Sequence, residues 1–419
     1  MSSVDEPHGP CPASPGIPIY LRKGRERRLR FGHPWIFSNE IDIARSPLKG
    51  LPPGELVQVR NHRELAQGIG YVNPGSLIAV RLFGREPGLR VDRAMLTERL
   101  TRADALRARA LAAPFYRMVY GESDGLPGLV VDRYGDVFVA QITTAGMERL
   151  SGLVVDTLAS AFSPRCIFLK NDSPARRLEQ LAQYTEVVCG ELPDIILYEE
   201  HGARFEISPA GGQKTGWFFD HRANRGRLAR HVRVLGAGRE QGPRVLDLFS
   251  YTGAWGVQCA TAGAEEVICV ESSARAVEHT VRHAELNGVG ERVQAVRSDV
   301  FDFLRQARSE GQRFDVVVAD PPAFIRRKKD FESGLEAYRR LNGLALQVLA
   351  PGGMMVSASC SHHLEPGKLR EIIARVASGV RRHVVIVGQG HQDIDHPVLP
   401  GLPESDYLKA FFLQSCETA

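Results

Sequence analysis

Two short stretches hold side chains able to do covalent chemistry. Ser357-Ala358-Ser359-Cys360-Ser361 puts a thiol where a β-type run ends, and Ala319-Asp320-Pro321-Pro322-Ala323-Phe324 puts a carboxylate where another ends. A thiolate is a strong nucleophile even when only a small fraction of the thiol is ionised. Added to C6 of a pyrimidine, it makes C5 enamine-like and able to take a methyl group from a sulfonium. Loss of the C5 proton and elimination of the thiolate complete such a turnover. The second stretch suits base binding. Neither proline has an N–H, so the loop is stiff and its carbonyls are left to accept hydrogen bonds. With the Asp320 carboxylate, they suit a base's amino group. Each feature also has a plainer reading: a free cysteine is usually an inert core residue, and Asp-Pro-Pro is a rigid turn. Arg326, Arg327, Lys328 and Lys329 follow at once. Four cations beside a base pocket suit phosphate.

Further polar residues recur at similar places. Asp247 to Gly256 reads DLFSYTGAWG. Phe249, Tyr251, Thr252 and Gly253 form its turn, which is neither a GxGxxG fingerprint nor a P-loop. Glu271 can accept from two ribose hydroxyls, which fits NAD and S-adenosylmethionine equally. Asp299 can reach an adenine amine or simply cap a helix. Lys214 and Arg222 can clamp an anion such as a cofactor's carboxylate, and Asp220 can cap a helix. His279 and His283, four apart on a predicted helix, are expected at the surface. His362 and His363 either polarise the thiol or belong to a loop.

These residues need a scaffold that brings strand ends together. From about residue 243 the pattern alternates strand and helix, with strands at 244–249, 266–270, 293–297, 314–319, 354–359 and 383–387. Phe314 to Ala319 is almost continuously apolar, as a strand buried on both faces must be. Such alternation predicts a parallel, doubly wound α/β sheet, which binds ligands at the carboxyl ends of its strands. Tyr407 to Gln414 adds a strand expected to be antiparallel. Upstream, 55–60, 67–72 and 78–83 are short β-type runs between Gly/Pro turns, as in a small barrel. Residues 95–112 read as a helix, and strands at 128–132, 137–143 and 166–170 surround a helix at 147–162. Residues 199–207 belong to a hairpin. The expected division is a disordered tail over 1–18, a β-barrel over 19–90, a central α/β segment over 95–208 and the doubly wound unit over 209–419.

Composition narrows the class. The chain has 419 residues, 43% hydrophobic and 24% charged, which excludes collagen-like, coiled-coil and wholly disordered chains. No apolar run is long enough to span a bilayer, and the N-terminus lacks the pattern of a signal peptide. Seven cysteines without a CxxC pair argue against a disulfide framework or a zinc site and for a reducing cytoplasm. The net charge is only +4, but residues 1–94 alone carry +5. Arg22, Lys23, Arg25, Arg27, Arg28 and Arg30 are its densest run. They form either a solvated face or a phosphate-contacting surface.

Taken together, these motifs resemble the bacterial large-subunit ribosomal RNA cytosine-5 methyltransferases with an N-terminal PUA domain. The resemblance runs from about residue 19 to the C-terminus. Its most specific parts are 199–205, 212–225, 247–253, 320–324, 359–361, Asp395-His396-Pro397 and Tyr407-Leu408-Lys409. It implies a PUA barrel, a central α/β domain and a class I S-adenosylmethionine domain. It also implies cofactor contacts from 247–253, Glu271 on the ribose, Asp299 beside adenine, Asp320 on the target base and Cys360 as nucleophile. Ala254 stands where a second glycine is usual. Ala323 leaves no second cysteine beside Asp-Pro-Pro. The expected partner is large-subunit ribosomal RNA in the cytoplasm, with no membrane; a homodimer is an assembly the sequence allows. Two rivals stay open: an RNA base N-methyltransferase using the Asp-Pro-Pro loop, and a non-catalytic RNA-binding or assembly factor.

Overall fold

The computed structural model describes residues 16–86, 88–211 and 216–416. Most of the tail expected over 1–18 lies outside these residues, as does Lys214; Ile17 and Pro18 are already strand. The chain packs as two compact units. One runs to Asp194 and takes in Ser208–Trp217 and Ile394–Ser405; the other holds Ile195–Ile207, Phe218–Asp393 and the chain from Asp406.

The first unit contains two five-stranded sheets. Strands β1 (Ile17–Tyr20), β2 (Trp35–Phe37), β3 (Glu55–Arg60), β4 (Ala66–Val72) and β5 (Ile78–Gly84) lie in the order β1-β3-β4-β5-β2. The alternation that marks them in sequence sets their faces: Val57 and Val59 enter a core with Ile19, Ile36 and Val80, while Gln58 and Arg60 face outward. Strands β6 (Phe115–Tyr120), β7 (Leu129–Tyr134), β8 (Val137–Ile142), β9 (Cys166–Asn171) and β10 (Tyr184–Gly190) form the second sheet in sequential order. The helix expected over 95–112 spans Arg93–Ala108, and Asp92 caps it by accepting from the Met95 N–H at 3.0 Å. The helix expected over 147–162 is broken at Leu150 into Ala145–Arg149 and Ser151–Phe162. Asp395 and His396 are buried here, where Asp395 accepts from the Arg117 N–H at 3.1 Å and His396 lies 3.1 Å from its guanidinium.

In the second unit, β11 (Ile196–Glu200) and β12 (Ala203–Ile207) form a hairpin. The sequence reading groups this hairpin with the central segment, whereas it packs with the C-terminal unit. Seven strands follow: β13 (Arg244–Leu248), β14 (Glu266–Glu271), β15 (Val293–Arg297), β16 (Phe314–Ala319), β17 (Leu349–Ser359), β18 (His383–Gly390) and β19 (Lys409–Cys416). Their order is β15-β14-β13-β16-β17-β19-β18. The first five pair in parallel, and β19 runs antiparallel between β17 and β18, as expected for the final strand. The apolar runs fill one core: Leu246, Val317, Met355 and Leu413 from the sheet meet Leu304, Leu341 and Ile372 from helices. Among the described residues, no helix is long and apolar enough to cross a membrane.

A buried carboxylate ties the hairpin to this unit. Glu200 accepts from Arg225 at 2.5 and 2.9 Å, from Gln258 at 2.7 Å and from the Tyr198 hydroxyl at 2.8 Å. Burial alone would push the Glu200 carboxyl up; the Arg225 pair, helped by Arg222 and Gln258, outweighs this and holds it at about 2. A folded value below the unfolded one stabilises the protein above the unfolded pKa, and that stability is lost as pH falls through the folded value. We therefore expect this contribution to fade from about pH 4.5 toward 2. Acid unfolding followed by circular dichroism should show a shallower limb in Glu200→Gln. At neutral pH the same variant should lose about 3–5 kcal/mol, because the buried Arg225 loses its carboxylate partner.

Candidate active site

Strand register places the chemistry. Ala319 of β16 pairs with Ser357 of β17, so Asp320 and Cys360 emerge at neighbouring sheet edges. The Cys360 sulfur is only partly buried and lies 4.0 Å from the Pro321 carbonyl oxygen. A hydroxyl ladder fixes this corner. The Tyr338 hydroxyl, on helix Phe331–Val348, lies 2.8 Å from Ser359 Oγ and 2.9 Å from Ser361 Oγ. The Ile325 N–H donates to Ser361 Oγ at 3.2 Å. One tyrosine thus holds both residues flanking Cys360, and Ser361 ties them to the Asp-Pro-Pro loop. Gly334 lets the helix approach, because a Cβ there would run into Ile325.

Asp320 is held from two sides. Its Oδ1 lies 3.2 Å from His221 Nε2, and its Oδ2 accepts from Trp255 Nε1 at 3.1 Å. Burial lowers the His221 pKa, but the Asp320 charge more than offsets this and the net shift is upward. The Asn224 amide nitrogen sits 3.2 Å from His221 Nδ1 and steadies the ring.

The first loop is bent by unusual backbone. Phe249 and Tyr251 have φ of 59° and 50°, a conformation side chains with a Cβ rarely adopt. Gly253 has φ 77°, and a Cβ there would lie 2.7 Å from Thr280. Glu271, at the end of β14, accepts from the Tyr251 N–H at 3.1 Å and from the Ser272 and Ser273 N–H groups. The carboxylate expected to hold a ribose therefore also shapes the loop beside it. His283 braces the loop from behind: Nδ1 donates to the Thr252 carbonyl at 2.8 Å, and Nε2 accepts from the Glu206 N–H at 3.1 Å. The surface position expected for His283 is thus corrected. It is fully buried and burial lowers its pKa, as a neutral strut requires.

Asp247 is buried, and burial pushes it up to about 8, with the charges of Asp320 and Glu271 adding to the rise. Its Oδ2 accepts from the Gly256 N–H at 2.9 Å, while Oδ1 has no partner. The hydroxyls of Ser250 and Thr252 are likewise buried without partners. Three converging carboxyls and three orphaned polar atoms fit a cationic, hydrogen-bonding ligand such as S-adenosylmethionine, which carries a sulfonium and an ammonium. Phe249 and Phe301 pack against Phe324 and supply an apolar wall.

Several expected residues make contacts of their own. Asp299 is exposed and caps helix Val300–Ser309, accepting from Phe301 and Asp302 N–H groups at 2.9 and 3.0 Å. Arg222 is buried, donating to the Tyr198 hydroxyl at 3.2 Å, with Asp393 3.5 Å away. It belongs to the interior rather than to an anion clamp. Asp220 accepts from the Tyr407 hydroxyl. Arg326, Arg327, Lys328 and Lys329 are exposed, with Arg327 paired to Asp330 at 3.0 Å. Arg22 and Lys23 are exposed on the first unit, where Arg22 also donates to the Ile41 carbonyl at 3.1 Å. His362 and His363 are exposed, and the His362 ring packs 5.6 Å from Tyr407. Sequence reasoning missed the roles of His221, Trp255, Tyr338 and Lys409. His221, Trp255 and Lys409 lie in stretches that the sequence itself singles out, 212–225, 247–256 and Tyr407-Leu408-Lys409, while Tyr338 lies in none of them.

Comparison with known proteins agrees with this geometry. Residues 19–85 match a PUA-like domain, and residues 176–398 match the S-adenosylmethionine-dependent methyltransferases. Ribosomal RNA large subunit methyltransferase I of Cronobacter sakazakii is 35% identical over 400 residues, covering 94% of this chain and 98% of that protein. The protein of that name from Shewanella denitrificans is 36% identical over 401 residues, with the same coverage. A solved methyltransferase complexed with SAH superposes with a TM-score of 0.80 at 22% identity, covering 95% of this chain and 100% of that one. A structure described as a SAM-dependent methyltransferase from Streptococcus mutans gives 0.79 at 21%, with the same coverage. With the two family matches, these folds show the architecture: a PUA-like domain ahead of a class I methyltransferase fold. Relatives that span nearly the whole chain, and a family match over the unit that carries the site, place this protein in the S-adenosylmethionine-dependent methyltransferase family, with S-adenosylmethionine as its cofactor.

Proposed function

We propose that this protein methylates C5 of a cytosine in large-subunit ribosomal RNA, in the cytoplasm, through a covalent bond between Cys360 and C6. The observation that carries the reading is the Cys360 sulfur lying 4.0 Å from the loop carbonyl that follows Asp320. Nucleophile and base-binding acid then serve one pyrimidine. The names of the relatives point to the RNA.

The target cytosine leaves its stack to reach the site. Asp320, fixed by His221 and Trp255, accepts from the exocyclic amine, as do the loop carbonyls. The Cys360 thiolate forms a bond to C6, and the electron pair moves to C5. Bound S-adenosylmethionine supplies an electrophilic methyl group; Glu271, Phe249, Tyr251, Thr252, Gly253 and Lys214 would hold it, with Asp299 toward the adenine. C5 takes the methyl group with that pair; when C5 then loses its proton to solvent, the C5–H pair restores the C5–C6 double bond and the S–C6 pair returns to sulfur. Residues 19–90, with Arg22 and Lys23, and the Arg326–Lys329 run would grip phosphates, while the second unit, which includes the 196–207 hairpin, acts as the catalytic domain.

Nucleoside mapping of ribosomal RNA from wild-type and deletion cells tests this directly. The expected result is one 5-methylcytidine missing from the large-subunit RNA. Loss of an N-methylated base instead would overturn the reading. The phosphate-gripping role has its own test. Replacing Arg326, Lys328 and Lys329 together by Ala should weaken RNA binding about 10-fold or more at low salt and reduce the dependence of log K on log salt. S-adenosylmethionine affinity, read by calorimetry, should not change.

A further inference from the structure

Cys360 has a cationic neighbour that the proposed reaction leaves unused. Ser359 of β17 pairs in register with Lys409 of β19, so the lysine arises beside the corner carrying the thiol. Its side chain does not reach solvent. Lys409 is 4% exposed, and its Nζ donates to the Ser361 carbonyl at 2.6 Å and the Tyr407 carbonyl at 2.9 Å. Those two acceptors bracket the ammonium next to Cys360, and an ammonium has a third N–H to give. A buried ammonium is costly unless an anion compensates it. Two charges act to keep it ionised: first Cys360, then Asp406, which is exposed to water. The sulfur is the one with a stake in the chemistry.

We infer that Lys409 is a positioning residue for the nucleophile: held by two carbonyls, its ammonium keeps Cys360 ionised and takes up the sulfur's charge again when the methylated base leaves. This rests on Cys360 being the nucleophile. The thiol proton goes to solvent and Lys409 keeps its three protons. The thiolate pair enters the S–C6 bond and returns to sulfur at elimination, where the ammonium stabilises the leaving group. Burial lowers Lys409 to about 8, with the Cys360 charge opposing that fall. The lysine thus stays mainly protonated at neutral pH. The other titratable groups around the sulfur are Tyr338 on the helix beneath, which feels the Cys360 charge, and Asp320 on the neighbouring loop. His362 and His363 share the sulfur's own loop, and Asp406 precedes β19.

The test reads ionisation of the thiol rather than turnover. The full-length protein is alkylated with iodoacetamide across a pH series, and modification of Cys360 is followed by peptide mass spectrometry. In the wild type the midpoint should fall below the ordinary thiol value of about 8.5. In Lys409→Met it should rise by about one pH unit or more, and Lys409→Arg should restore most of the shift. Methyl transfer by Lys409→Met should follow the same displaced pH profile. A wild-type midpoint at or above the ordinary value overturns the inference even if Lys409→Met does not fold. So does a Lys409→Met midpoint equal to the wild type's. Failure of Cys360 as nucleophile would show separately, as full methylation by Cys360→Ala whatever the alkylation curves do.

Discussion

Cys360→Ala should lose methyl transfer by about 10⁴-fold or more, while binding S-adenosylmethionine as tightly as the wild type. The size follows from the substrate. The C5 carbon of cytosine is a poor nucleophile, and only addition at C6 gives it the electron density to attack an electrophilic methyl. Without sulfur, no other group on the neighbouring strand ends does that job. The loop proposed to hold the cofactor is separate in sequence and follows β13, so its affinity should not change. Folding should also survive. The thiol is partly exposed, and the ladder of Tyr338, Ser359 and Ser361 that fixes the corner does not use it. Methyl incorporation into RNA from deletion cells, alongside calorimetry, reads both halves. Full activity in the alanine variant would eliminate the covalent route and leave a methyl acceptor on nitrogen.

Asp320→Asn should cost about 10²–10³-fold in kcat/KM, roughly 3–4 kcal/mol of transition-state binding. The reason lies in hydrogen-bond polarity. Both carboxylate oxygens face donors, the Trp255 indole and the His221 ring. An amide offers one acceptor oxygen, so either flip turns an NH₂ group toward an N–H. The side chain must then rotate away, and the base loses its acceptor. Trp255→Phe removes one of the two supports and should cost less, about 3–10-fold. The kinetics should separate from the cysteine's: Asp320→Asn should raise KM as well as lower kcat, because the acid holds the base before any bond forms. Activity within twofold of wild type would remove Asp320 from base binding.

Legibility followed the physics of each element. β16 is legible to the residue because an almost continuous apolar run has sharp ends. β10 was missed: Tyr184–Gly190 is an edge strand with mostly exposed or half-buried positions, so it shows little apolar pattern. The strand-end positions of Asp320 and Cys360 are legible because their types are unusual there, and the pairing of β16 with β17 sets those ends side by side. Asp299 carried two readings, and its geometry shows the cap. His283 is not legible because polar spacing on a helix says nothing about which face is covered, and here the loop after β13 and β12 cover it.

The sequence alone determined the order of strands and helices, the ends where polar residues collect, and the residue types able to attack or bind a base. These are local properties, set by periodicity, turn chemistry and side-chain reactivity. Tertiary structure decided which ends are neighbours and what surrounds them. Sheet order put β16 beside β17 and inserted β19 next to it, so residues 40 and 49 positions apart in the chain, Asp320, Cys360 and Lys409, meet at one corner. No local signal encodes that meeting, because it depends on long-range pairing and on which charges burial leaves to compensate each other.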